Sequence, residues 1–82
     1  MNYQIEFKPR AIKDLKALPA IEHRRIVPKI EALEVDLAGD VKKLTNFTPE
    51  YRLRVGNYRV LFEVEEDRVI IYRVLHRKDA CQ

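Results

Sequence analysis

The chain of 82 residues predicts an α+β fold in which a helical hairpin covers one face of a mainly antiparallel sheet. Three observations carry that prediction. The stretch YRLRVGNYRVLFEV at 51–64 alternates apolar and polar residues on both sides of a Gly-Asn pair, the signature of a β-hairpin. Residues 10–37 carry their apolar residues at helical spacing instead. Alternation appears again at 2–8 and from Arg68 to about Leu75, so strands flank both blocks. The expected order is β-α-α-β-β-β. A chain of this size forms a single domain, 1–82, with no room for a second core.

In the first strand Tyr3, Ile5 and Phe7 alternate with polar neighbours, the pattern of a half-buried strand. Pro9 suits the first turn of a helix, where the missing N–H is not needed. Ile12, Leu15 and Leu18 then recur at helical spacing, with Ala11 beside them, and Pro19 ends that run or begins the next. A longer helix fits 20–37, where Ile26, Ile30, Leu33 and Leu37 form one stripe. Pro28 lies inside it, at a cost of about 3 kcal/mol for an interior proline. Because the stripe stays in phase on both sides, the expectation is one kinked helix. Gly39-Asp40 breaks it, and 41–50 reads as a connecting loop anchored by Leu44 and Phe47.

If Gly56-Asn57 is a two-residue turn, Val55 stands opposite Tyr58 and Arg54 opposite Arg59, with Arg52 on the same face. Leu53, Val55, Val60, Phe62 and Val64 then face the helices. The last strand admits two registers. A two- or four-residue turn after the central strand leaves Val69, Ile71, Arg73 and Leu75 on the helix side. A three-residue turn puts Ile70, Tyr72 and Val74 there, and sends Arg73 and Arg77 to the face of the other arginines.

Composition narrows the chemistry. The net charge is +3, and the single cysteine with two histidines excludes a disulfide framework and argues against a Cys/His zinc site, so neither metal nor cofactor is expected. No apolar run approaches a membrane span and no signal-peptide core is visible, which predicts a soluble, cytoplasmic protein. Six of the seven basic residues from position 51 onward are arginine, the side chain suited to bidentate phosphate binding. Arg52, Arg54 and Arg59 would converge on a patch one or two phosphates wide, because residues two apart on a strand stand roughly 6.5–7 Å apart. A phosphate placed there turns repulsion into charge-assisted hydrogen bonds. The alternative is an ordinary exposed arginine face on a half-buried sheet. His76 is the residue of this half whose ordinary pKa lies near neutrality. Lys42, Lys43 and Lys78 are candidates for the border of a nucleic-acid groove, or simply solvated loop residues.

Taken together, KKL at 42–44, YRLRVGNYRVLFEV at 51–64 and IIYRVLHRKDA at 70–80 resemble the RelE/ParE superfamily of toxin–antitoxin toxins. The opening strand and the LP step at 18–19 are similar as well, so the resemblance spans nearly the whole chain. It implies a microbial-ribonuclease-like fold and a ribosome-dependent endoribonuclease that cuts mRNA in the A site by 2′-hydroxyl attack. It also implies a RelB-like antitoxin as partner, with operator DNA reached only through the toxin–antitoxin complex. Carried over by position, Arg52 and Arg54 line the scissile phosphate, Arg59 stabilises transition-state charge, and Arg77 assists the leaving 5′-oxygen. Lys42, Lys43, His76 and Lys78 are expected to contact RNA or ribosome. The ParE branch, which inhibits DNA gyrase without cutting RNA, is the alternative. Two departures stand out. Relatives that cut RNA often carry lysines where this chain has Arg52 and Arg54, and a tyrosine where it has Cys81.

Overall fold

The computed structural model describes residues 2–80. Within them, strand β1 (Gln4–Phe7) leads into helices α1 (Pro9–Lys16) and α2 (Ala20–Glu31), followed by a 3₁₀ turn at Ala32–Glu34. Four strands complete the chain: β2 (Val41–Lys43), β3 (Tyr51–Val55), β4 (Tyr58–Glu65) and β5 (Arg68–His76). They form one sheet in the order β1-β5-β4-β3-β2, with β1 parallel to β5 and the other neighbours antiparallel. The predicted α+β layout is therefore present, with one more strand than the sequence suggested.

Pro9 opens α1, and Lys13 and Lys16 fall in its last turn, where cations meet the negative end of the helix dipole. Ala11 is the helix's fully buried contact. Its small side chain lets α1 lie close to the sheet. In α2 the helix does run through Pro28, but it stops at Glu31 rather than continuing to 37. Asp36 and Leu37 both adopt left-handed backbone (φ 54° and 55°), which ends any helical path. Val35 instead bridges Asn2, and the Tyr3 N–H donates to Glu34 O at 2.8 Å. Leu33 still reaches the core from the 3₁₀ turn, and Leu37 packs against it, so the stripe is satisfied without a continuous helix.

The core lies between this helical layer and the sheet. Ala11, Ile26, Ile30 and Leu33 meet Leu53, Val55, Val60, Phe62, Val69, Ile71 and Val74. Each of the larger members loses roughly 1.5–3 kcal/mol of apolar transfer free energy if left in water, so this alternation fixes which face of β3 and β4 turns inward. Gly56 takes φ 56° as the first loop residue of the β3–β4 hairpin, a conformation glycine adopts without steric cost. The hairpin register is the predicted one, with Val55 opposite Tyr58 and Arg54 opposite Arg59.

Two segments differ from the sequence reading. Residues 41–43 are an edge strand, not loop: Val41 pairs with Leu53, Lys42 with Arg52 and Lys43 with Tyr51. Three residues are too few for an alternation signal, and it is β3 that supplies the pairing. In β5 neither uniform register holds. Glu65 pairs with Arg68 across a two-residue turn, and the register runs regularly to Phe62 opposite Ile71. It then shifts, placing Leu61 opposite Arg73 and Val60 opposite Val74, with Tyr72 as the extra residue of a β-bulge. Val69 and Ile71 face inward before the bulge, and Val74 faces inward after it. Among the described residues no helix is long and apolar enough to cross a membrane.

Candidate functional site

The helix-free face of β2, β3 and β4 gathers the basic residues. Lys42 stands beside Arg52 across β2 and β3, and Arg54 stands beside Arg59 across β3 and β4. These four, with Leu44 and Ala80, line an open pocket of about 210 Å³. The lysine pair of the sequence is thereby divided. Lys42 lines the pocket, whereas Lys43, opposite Tyr51, holds its ammonium 5.9 Å from the centroid of that ring. Tyr51 in turn stacks on the core residue Phe62 at 5.4 Å.

Each arginine is held differently. The Arg54 Nε donates to Asp40 Oδ2 at 2.8 Å, and its backbone N–H donates to Asp40 O at 3.0 Å. Arg59 Nη1 donates to the carbonyls of Gly56 (3.1 Å) and Tyr58 (3.0 Å), which folds the guanidinium back over the hairpin turn. Arg52 Nη1 is buried without a hydrogen-bond partner. A desolvated guanidinium N–H left unpaired is costly, because it has given up water for nothing. Electrostatics point the same way. Burial, then repulsion from Arg52, Arg54 and Arg77, lowers the pKa of Arg59 below an arginine's ordinary value, against the opposing pull of Asp40. The site is a cluster of cations around an open pocket, and an anion bound there would offset their mutual repulsion.

Arg77 and His76, adjacent in sequence, part company at the end of β5. Arg77 is near enough to Arg59 to repel it, and its backbone N–H donates to Asn57 O at 2.7 Å. His76 pairs with Tyr58 on the other side of the sheet, their rings edge to face at 5.3 Å. His76 Nδ1 accepts the Lys78 N–H at 3.2 Å, an arrangement that asks for a ring protonated on Nε2 alone. Lys78 itself is exposed. The structure thus brings Lys42, Arg52, Arg54 and Arg59 together around the pocket, sets Arg77 near Arg59 without lining it, and leaves Lys43 and His76 outside the group. Cys81 lies outside the described residues.

Asp40, Leu44 and Ala80 are site residues that the sequence did not announce. Asp40 reads there only as part of a helix break. Its hydrogen bonds to Arg54 cross between neighbouring strands, so no local spacing reveals them. Gly39, just before it, takes φ 127°, and a Cβ there would stand 2.9 Å from Leu53 Cδ1. Only glycine lets the chain enter β2 this close to the core.

Residues 5–81 match the family model described as ParE toxin of type II toxin-antitoxin system, parDE. The chain belongs to the RelE/ParE superfamily of toxins. It is 41% identical over 80 residues to Toxin RelE3 of Methanocaldococcus jannaschii, covering 92% of this chain and 91% of the relative. A second relative from the same organism, Putative toxin RelE1, is 33% identical over 86 residues, with 99% of this chain and 96% of the relative covered. Among solved structures, the toxin of the RelB-RelE antitoxin-toxin complex from Methanococcus jannaschii superposes with a TM-score of 0.77 at 39% identity, covering 92% of this chain and 93% of the other. That of the RelBE2 toxin-antitoxin complex from Mycobacterium tuberculosis superposes with a TM-score of 0.81 at 27% identity, covering 94% of this chain and the whole of the other. The structural likeness to these RelE toxins covers more than nine-tenths of this chain.

Proposed function

We propose that this RelE/ParE-superfamily chain is the toxin of a type II toxin–antitoxin pair and acts in the cytoplasm as a ribosome-dependent mRNA endonuclease. The observation that carries the reading is the convergence of Lys42, Arg52, Arg54 and Arg59 on one open pocket, with one Arg52 N–H buried and unpartnered. That geometry is matched by an RNA phosphate, whose non-bridging oxygens accept from guanidinium forks.

In the reaction the 2′-oxygen attacks the adjacent phosphorus, the bond to the 5′-oxygen breaks, and the products carry a 2′,3′-cyclic phosphate and a 5′-hydroxyl. Arg52 and Arg54 bind the phosphate. Arg59 offsets the extra charge that builds on the phosphorane, the kind of pre-set electrostatic stabilisation that contributes most to many enzymes. Arg77, beside Arg59, offsets charge on the departing 5′-oxygen. Arginine does not accept the 2′-hydroxyl proton, which passes to water, and the departing 5′-oxygen takes its proton from water, so these groups lower the barrier mainly by binding and charge. Alignment of the 2′-oxygen and phosphorus by the ribosomal A site supplies the orientation that this site lacks on its own. Lys42 and Lys78 extend the basic surface along the RNA, and Lys43 and His76 would serve ribosome contacts outside the pocket. A RelB-like antitoxin is the expected partner, since relatives of this chain are seen in complexes with RelB.

The matching family model is that of ParE toxins, which favours a second reading, inhibition of gyrase without RNA cleavage. One experiment separates the two. Message ends are mapped on translating ribosomes after addition of the wild-type toxin, Arg59→Ala or Arg77→Ala. New ends at the A-site codon that disappear in both variants support cleavage. Intact message together with blocked DNA supercoiling rejects it.

A further inference from the structure

The β-bulge at Tyr72 does more than bend a strand. Continued in the register that runs from Glu65 opposite Arg68 to Phe62 opposite Ile71, β5 would place Arg73 opposite Val60 and Val74 opposite Arg59. Val60 is fully buried, so that register would press the Arg73 guanidinium into the core and turn Val74 outward. Two residues further on, it would exchange the faces of His76 and Arg77. The extra residue reverses all of this at once. Val74 enters the core at 3% exposure, His76 meets the Tyr58 ring, and Arg77 joins Arg59.

What holds the bulge comes from the far side of β5. The pairing of β1 ends with Phe7 opposite Ile71, and the Lys8 N–H caps the Ile71 carbonyl at 2.9 Å. From Tyr72 onward that edge of β5 has no strand beside it. Asp14 of α1 takes the vacated place. Its Oδ2 accepts the Arg73 Nε at 2.8 Å and the Val74 backbone N–H at 3.0 Å, while its Oδ1 accepts the Arg73 Nη2 at 3.2 Å. One carboxylate thus binds both the side chain displaced by the bulge and the backbone donor that follows it.

Resting on the reading of the arginine face as the RNA site, we infer that Asp14, with Arg73, is a positioning residue for Arg77: by locking the bulge it selects Arg77 over His76 for the site. Neither residue touches the pocket. Their effect on the chemistry passes through the register of residues 74–77 alone.

A double-mutant cycle with an independent structural readout tests this. Cleavage of A-site message is measured for wild type, Asp14→Ala, Arg77→Ala and the double variant, and the contact between the Tyr58 and His76 rings is followed by nuclear Overhauser effects. Asp14→Asn, a smaller perturbation, replaces Asp14→Ala if circular dichroism shows the latter unfolded. The expected result is at least a tenfold loss of cleavage in Asp14→Ala, no further loss when it is added to Arg77→Ala, and loss of the ring contact. Independent losses that multiply in the double variant, or an intact ring contact in Asp14→Ala, would overturn the inference. If wild type cuts no message, the endonuclease reading fails. The ring contact then still decides whether Asp14 sets the register.

Discussion

Replacing Arg52 by methionine should stabilise the free protein while disabling it. Methionine keeps most of the aliphatic stem of this pocket-lining residue and removes the charge and the buried Nη1 donor that has no partner. An unsatisfied buried donor costs about 1–3 kcal/mol. Arg52 also stands diagonally across the ladder from Arg59, and is the first of the charges that lower the pKa of Arg59. Diagonal neighbours are roughly 7–8 Å apart, so two unit charges there repel by about 0.5–2 kcal/mol for effective dielectric constants between about 80 and 20. The pocket that both residues line is open to solvent, which places this pair nearer the lower figure, and some packing is lost with the guanidinium. A net gain of about 1–2 kcal/mol remains, or about 4–16 °C in Tm for a domain of this size. Urea unfolding of both proteins at low salt, with and without inorganic phosphate, is the assay. Phosphate should raise the midpoint of the wild type more than that of Arg52→Met, because only a native-state ligand shifts the equilibrium. A variant destabilised by 1 kcal/mol or more at unchanged m-value would refute the reasoning, since Arg52 would then be held by its own contacts rather than left waiting for an anion.

Three further outcomes are expected. Asp40→Asn keeps an oxygen for Arg54 but removes the carboxylate paired with it at 2.8 Å, so affinity for a non-cleavable 2′-deoxy RNA should rise roughly two- to fivefold in fluorescence polarisation, with at most about 1 kcal/mol lost in stability. For Asp14, burial raises the pKa, but hydrogen bonds from Arg73 and the Val74 N–H, with the charges of Arg73 and Arg10, outweigh it and leave the carboxyl below its ordinary value. Its contribution is therefore complete above the unfolded-state pKa and lost as pH falls through the folded one, so unfolding titrations below about pH 5 should decline more steeply for wild type than for Asp14→Asn. Phe62→Ala opens a cavity beneath fully buried neighbours, and thermal or urea unfolding should show a loss of about 3–5 kcal/mol, a large share of the stability of a small domain.

The β3–β4 hairpin is the part of this molecule most plainly written in its sequence. A strand has a side-chain period of two, so one glycine-led turn and five inward apolar residues suffice to put Arg52, Arg54 and Arg59 on the outer face. The core lists itself for the same reason, and the helical stripes of α1 and α2 say what covers it. The motifs of 42–44, 51–64 and 70–80 also suffice to place the chain in its family.

What the sequence by itself left open is everything that depends on a contact between distant segments. Strand β2 exists because β3 offers it an edge, and three residues carry no period of their own. The end of α2 follows from Val35 turning to meet Asn2, not from a lost apolar stripe. Asp40 reaches Arg54 only across that new edge, and the division of Lys42 from Lys43 follows from the same pairing. The register of β5 required Asp14, some sixty residues earlier, to hold the bulge at Tyr72. Alternation states that one of two faces is buried, but an inserted residue exchanges the faces without altering the pattern on either side. Whether His76 or Arg77 stands in the site was therefore decided in three dimensions, where a carboxylate from α1 meets the unpaired edge of β5.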